Sequence, residues 1–291
     1  MKVAVASGKG GTGKTAIATN LAVSNNVALF DCDVEEPNDH LFFDMKLQKV
    51  EDVNLKIPII DERKCTLCGK CSEFCQYNAL ATLPSHVLFF PELCHGCGGC
   101  KLICPEEAIH EGERSIGVIE RGENEIVFYR GVLNVGEAMA TPIIKALKKK
   151  LKAVEHAILD SPPGNACPMI ETIKDADYCI LVTEPTPFGL KDADYCILVT
   201  EPTPFGLHDL KLAVDVVKKM NVPFGVIINK DGIGDKEVEN YCKKEGIDII
   251  TKVPYSRKIA SLYSQGKLFA LEMKEWDEKF QELFAAIEEK I

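Results

Sequence analysis

Gly8-Lys9-Gly10-Gly11-Thr12-Gly13-Lys14-Thr15 stands directly after the apolar run Val3-Ala4-Val5-Ala6, and these residue types suit one task, holding phosphate. The pattern G-x-x-x-x-G-K-[ST] between a short buried strand and a helix lets successive backbone N–H groups surround phosphate oxygens. The helix N-terminus adds the positive end of its dipole. Gly8, Gly10, Gly11 and Gly13 permit close backbone approach and positive φ, and Lys14 reaches the β- and γ-phosphates. The Thr15 hydroxyl is placed for magnesium. A plain glycine-rich turn is the alternative, and the helix-compatible stretch from Thr15 to Ser24 argues against it.

Cysteine supplies the second chemistry. Eight of the thirteen cysteines lie between Cys65 and Cys104. They form two runs, Cys65-x2-Cys68-x2-Cys71-x3-Cys75 and Cys94-x2-Cys97-x2-Cys100-x3-Cys104-Pro105. This doubled run is the bacterial two-cluster ferredoxin signature, in which the fourth cysteine of each run crosses to the other cluster. One 4Fe-4S cluster then takes Cys65, Cys68, Cys71 and Cys104, and the other takes Cys94, Cys97, Cys100 and Cys75. Structural zinc competes, but tetrahedral zinc prefers separated C-x-x-C pairs and has no use for a third cysteine at x2. Gln76 stands where the first run would ordinarily carry proline, which leaves the ligand count intact and the local turn open.

These groups need elements to position them. Ala16, Ile17, Leu21 and Ala22 have helical spacing, and Val27 to Phe30 is a short apolar strand running into Asp31-Cys32-Asp33. Strand, helix and strand in about thirty residues make a βαβ unit with a right-handed crossover. Carboxylates at a strand's C-terminal end, here Asp31 and Asp33, stand beside the nucleotide site of such a sheet, a solvated turn being the alternative. Ala157-Ile158-Leu159-Asp160 is another strand ending in aspartate, placing Asp160 to hold magnesium through a water, and Gly164 has an N–H to offer a γ-phosphate. The expected fold class is α/β, a doubly wound, mostly parallel sheet over 1–57 and 111–291. A small α+β ferredoxin-like domain is inserted at 58–110.

Net charge of -10 and a pI near 5.2 argue against general nucleic-acid affinity. No stretch approaches the roughly eighteen apolar residues of a membrane span, and Met1-Lys2 runs straight into a strand with no signal peptide. The expectation is a cytoplasmic protein, which disfavours a disulfide framework and favours metal binding by the cysteines.

The loop GKGGTGKT, with Lys9 near its start as well as Lys14 at its end, resembles the deviant Walker A motif of the MinD/ParA superfamily, which includes the nitrogenase iron protein. With the cysteine-rich segment, the chain resembles MinD-type P-loop ATPases carrying an inserted ferredoxin domain, over nearly its whole length. The resemblance implies ATP and Mg2+ as ligands. It also implies a nucleotide-dependent homodimer, or a dimer with a close paralogue, in which Lys9 reaches the partner's nucleotide. It gives Asp33 the switch carboxylate that orients the attacking water, Asp31 a place beside the magnesium, and Asp160 to Gly164 the second switch. Asn229 is implied to contact adenine, and Val253-Pro254-Tyr255 to lie against the base. Cys167 stands near the position of a ligand to the iron protein's bridging cluster, but no second cysteine lies between His110 and Asp160, so a free thiol is the stronger reading.

Lys174 to Leu190 reads KDADYCILVTEPTPFGL, and Lys191 to Leu207 repeats it letter for letter. The sheet has one vacancy before the helix Asp209 to Met220, so a recent duplication or an error in the recorded sequence leads, with a real extra strand as runner-up. Strands are expected between Gly117 and Gly136, broken by a turn at Gly122-Glu123-Asn124, with a helix at Thr141 to Leu151 and a strand at Val226 to Lys230. Leu271 to Ile291 is expected to be one amphipathic helix with Phe280, Leu283, Phe284 and Ile287 on its packed face. Seven acids against three lysines from Glu272 to Lys290 turn that helix away from anionic lipid, so neither membrane nor nucleic acid is an expected partner.

The function expected is nucleotide-gated, low-potential electron transfer through the two-cluster module to a redox partner or acceptor. An iron-sulfur carrier or assembly ATPase is the alternative, and a positioning ATPase with a structural ferredoxin fold is the third.

Overall fold

The computed structural model describes residues 1–7, 11, 13–163, 167–174, 176, 178–182, 196–219 and 224–289. Strand β1 (Lys2–Ser7), helix α1 (Lys14–Ser24) and strand β2 (Ala28–Asp31) form the opening βαβ unit. Strand β3 (Gln48–Ile60) then leads into the cysteine-rich insertion, which holds α2 (Lys70–Phe74), β4 (Leu80–Thr82), β5 (Val87–Phe89) and α3 (Gly99–Ile103). Strand β6 (Ile109–Glu123) returns, followed by β7 (Val127–Leu133), α4 (Thr141–Lys148), β8 (Ala157–Pro163), α5 (Cys167–Ile173) and β9 (Tyr178–Val182). The remainder is β10 (Cys196–Thr200), α6 (Pro204–Lys219), β11 (Phe224–Asp231), α7 (Glu237–Glu245), β12 (Ile249–Pro254), α8 (Arg257–Ser264), α9 (Phe269–Glu272) and α10 (Lys274–Glu288).

Ten strands share one sheet, in the order β12-β11-β10-β9-β1-β8-β2-β7-β6-β3. Its ladders are parallel from β12 through β7, and antiparallel for β7–β6 and β6–β3. Helices cover both faces, so the central strands are apolar at successive positions instead of alternating. Val3, Val5, Leu29 and Ile158 pack toward α1 and α10, with Ile17, Leu21, Trp276 and Phe280. Ala4, Phe30 and Leu159 pack into the opposite layer with Ile143, Leu147 and Leu210.

Strand β3 was not legible in the sequence. It pairs with β6 from Gln48↔Arg121 to Ile60↔Ile109, making a long two-stranded ribbon that grows out of the sheet and carries the insertion at its far end. As the edge strand it buries only Val53 and Leu55, which leaves a weak alternation in the sequence. The expected boundaries, 58 and 110, fall at the last rungs of this ribbon.

The repeat departs most from expectation. Two identical strands do not compete for one place, because β9 pairs with β1 and β10 pairs with β11, and the two lie side by side. Their register sets each residue beside its own copy, Cys196↔Cys179, Ile197↔Ile180 and Leu198↔Leu181. The sheet therefore accommodates both copies, and α6 starts at Pro204, inside the second one. The C-terminal helix also differs: Met273 is extended (φ -140, ψ 94) and divides it into α9 and α10. Phe280, Leu283, Phe284 and Ile287 are buried on α10 as expected.

Candidate functional site

The C-terminal ends of β1, β2 and β8 converge on the first turn of α1. Gly13 caps that helix at φ 98, a conformation costly for any residue with a Cβ. From the first turn Thr15 donates its hydroxyl to Asp160 Oδ2 at 2.7 Å. Register sets Asp31 directly beside Asp160 on the neighbouring strand, both almost wholly buried. Asp31 holds the segment that follows it: Oδ1 accepts from the Asp33 amide and Oδ2 from the Asp39 amide, each at 3.1 Å. Of the opening loop, Gly11, Gly13, Lys14 and Thr15 are described, whereas Gly8, Lys9, Gly10, Thr12 and Gly164 lie outside the described residues.

Asp39 escaped the sequence reading. It is completely buried, and neither of its carboxylate oxygens meets a hydrogen-bond donor; Asp160 Oδ1 is in the same position. Nothing in the local pattern announced it, because Asn38-Asp39 after a proline has the composition of a solvated turn. Burial, reinforced by the neighbouring carboxylates, pushes the Asp31 and Asp39 carboxyls well up from the ordinary range. Burial raises Asp160 too, against the pull of Lys14 and Thr15. Asp33 is pushed up to about 6, by burial first and Asp160 second.

Unpartnered buried carboxylate oxygens are costly unless a cation completes them. The oxygen-only donor set of Thr15 and Asp160, beside a phosphate loop, fits magnesium, which binds through one or two protein oxygens, waters and substrate phosphates. Above it opens a cleft enclosing about 1280 Å³ of empty space, part of it open to solvent, lined among others by Lys14, Thr15, Asp33, Asn229, Pro254 and Tyr255. All six come from elements that the sheet brings together. The ends of β11 and β12 are fastened by Tyr255 N donating to Asp231 O at 2.7 Å. Glu36, Asn38, Ser256 and Tyr263 also line the cleft, and no sequence motif marked them.

At the far end of the ribbon the eight cysteines sort into two groups. Cys65, Cys68, Cys71 and Cys104 line one cavity, and Cys75, Cys94, Cys97 and Cys100 line the other. All eight thiols are free. The fourth cysteine of each run therefore sits with the first three of the other. The two runs match position for position. Leu67 and Gly96, each just before the second cysteine, have φ 55 and 66, and Asn78 and Glu107, each three residues after the fourth, have φ 53 and 46. In each run an amide donates to the fourth thiol at 3.3 Å, Ala79 to Cys75 and Ala108 to Cys104. Gln76 thus leaves the turn as it is beside Pro105.

Among the described residues, no three His, Cys, Asp or Glu side chains converge on one point as a single ion requires. The cysteines instead ring cavities, the arrangement a multi-iron cluster needs and one tetrahedral ion does not. Arg114 on β6 anchors the loop before Cys94, donating to the Pro91 carbonyl at 3.1 Å and to the Glu137 carboxylate.

Residues 3–269 match the CbiA family, described as the CobQ/CobB/MinD/ParA nucleotide binding domain. An uncharacterized protein of Methanocaldococcus jannaschii is 34% identical, over 100% of this chain and 98% of its own length. A Pyrococcus abyssi protein named iron-sulfur cluster carrier protein is 25% identical over 88% of this chain and 75% of its own length. Among solved structures, the septum site-determining protein MinD of Pyrococcus horikoshii, complexed with Mg-ADP, superposes with a TM-score of 0.54 at 16% identity. That match covers 100% of this chain and 98% of MinD. Among the described residues no helix is long and apolar enough to cross a membrane.

Proposed function

Because the chain belongs to the CobQ/CobB/MinD/ParA nucleotide-binding family, we propose that it is an ATP-hydrolysing, nucleotide-dependent dimer that gates low-potential electron transfer through two 4Fe-4S clusters in its insertion. The observation that carries this reading is the crossed sorting of the eight cysteines around two cavities. When bound, magnesium neutralises phosphate charge and the clusters each store one electron at low potential.

The chain's own residues do the rest. Lys14 and the amide-rich turn at the start of α1 bind the phosphates, and Asp33 is placed to orient the attacking water. Lys9 acts on the partner's nucleotide. Asn229, Pro254 and Tyr255 hold the base.

A mechanical path supports gating. The segment after Asp33 is tied to β7 by Leu133 N donating to Val34 O at 2.8 Å. Arg130 on β7 donates to His40 Nδ1 at 2.9 Å and to Glu120 Oε2 on β6 at 2.7 Å. Strand β6 is the one that returns from the insertion, so a shift of residues 33–40 on hydrolysis is transmitted along a continuous strand.

The name of the Pyrococcus relatives favours a second reading, delivery of a cluster in place of an electron. Cys32 and Cys242 are buried and Cys167 is exposed at the start of α5, and no two of Cys32, Cys167, Cys179, Cys196 and Cys242 form the C-x-x-C of a labile cluster. Anaerobic iron analysis followed by dithionite titration with ATP or ADP tests both readings. The electron-transfer reading expects about eight irons per chain, retained through redox cycles, with potentials that shift with nucleotide. Loss of iron to an apo-acceptor would favour delivery, and iron near zero with stoichiometric zinc would sink both.

A further inference from the structure

The nucleotide site contains one more carboxylate than its motifs require. Asp31 is occupied by two backbone amides, Asp160 by Thr15, and Asp33 lines the open cleft. Asp39 has no such task. It is completely buried with its carboxyl group in side-chain hydrogen-bond contact with that of Asp160, and no other group partners Asp39 Oδ1, Asp39 Oδ2 or Asp160 Oδ1. The groups facing this cluster are Asp31, Asp33, Lys14, Thr15 and the Tyr263 side chain from α8. Among these described groups Lys14 is the one cation, so three buried carboxyl groups stand beside a single positive side chain. A fold retains such an arrangement when a ligand of opposite charge completes it.

We propose that Asp39 is a cation-positioning residue: through Asp160 it strengthens binding of the divalent cation that accompanies the nucleotide. The side chains of Asp31, Asp39 and Asp160 do not converge on one point as a cage would, so Asp39 acts on the ion's water shell and on Asp160 and is not itself a direct ligand. This inference rests on the nucleotide-binding reading of the cleft.

Mn2+ serves as the probe. The full chain and its Asp39→Asn variant, each saturated with ADP, are titrated with Mn2+ while free ion is read by EPR, and ADP affinity is measured separately in chelator. Asp39→Asn is expected to weaken Mn2+ binding by about tenfold or more, the usual cost of losing an outer-shell partner. It should leave ADP affinity in chelator unchanged and the thermal midpoint in chelator no lower than wild type. Unchanged Mn2+ affinity in the variant overturns the proposal, as does a lower midpoint, which would make the carboxylate a structural group. If Asp39→Asn does not fold, Asp39→Ser is read in the same way, and failure of both to fold also overturns it. A wild-type chain that binds neither ADP nor Mn2+ defeats the nucleotide reading itself, and this inference with it.

Discussion

Asn229 lies over the turn that starts α1: its Nδ2 is 2.5 Å from the point where a Cβ on Gly13 would stand. The residue at the end of β11 and the phosphate loop after β1 are therefore packed against each other across the cleft, and neither changes without moving the other.

Gly13→Ala should accordingly lose nucleotide binding by more than Asn229→Ala does. The added methyl meets Asn229 and requires φ 98 of a residue with a Cβ, a combined cost of about 1–3 kcal/mol. Titration with a fluorescent ATP analogue measures both variants. Equal affinity of Gly13→Ala and wild type would show that the loop relaxes away from Asn229.

Two lysines of the loop should separate by assay. Lys14→Ala is expected to abolish nucleotide binding. Lys9→Ala should keep it and lower dimer-dependent hydrolysis by about a thousandfold, as for a cation supplied across an interface. Sedimentation with ATP and steady-state phosphate release distinguish the two, and equal loss of binding in both would defeat the cross-subunit role.

Asp33 predicts a pH effect with a definite sign. Its carboxyl is raised from 3.8 to about 6 in the fold, so between those values the folded chain holds the proton more tightly than the unfolded one. Stability without nucleotide or metal should fall as pH rises through this window, and Asp33→Asn should flatten that slope. Hydrolysis, which needs the ionised carboxylate to orient water, should fall in the opposite direction, as pH drops through about 6. Denaturant unfolding at pH 4.5 and 7, in chelator, checks the first half; these two values are chosen to bracket about 6.

Under the proposed function, the crossed grouping of the cysteines around two cavities predicts which cluster each serves. Cys75→Ser should deplete the cluster held by Cys94, Cys97 and Cys100, leaving about four irons per chain. Cys104→Ser should deplete the other. EPR of the reduced variants identifies the surviving signal, and identical residual spectra would refute the crossing.

The candidate site was proposed from residues that are neighbours in sequence. The phosphate-loop motif occupies eight consecutive positions, and each cysteine run is short enough for one loop to wrap a cavity. The crossing of Cys75 and Cys104 was also readable, since the doubled run admits that folding. Strand β3 was not, because an edge strand with two buried side chains leaves almost no periodicity. The break at Met273 was hidden for a similar reason, the apolar spacing running through it unchanged.

The sequence by itself determined the nucleotide-binding family and the α/β class, and it sorted the eight cysteines into two groups, all of which depend on residue type and local spacing. Tertiary structure decided what depends on desolvation and on strand neighbours. It gave both copies of the repeat a place in the sheet, joined the insertion to the nucleotide site through β6, and buried Asp39 against Asp160. An aspartate in a turn is cheap in water and costly without it, and only the packing of distant strands and helices decides which of the two surroundings it has.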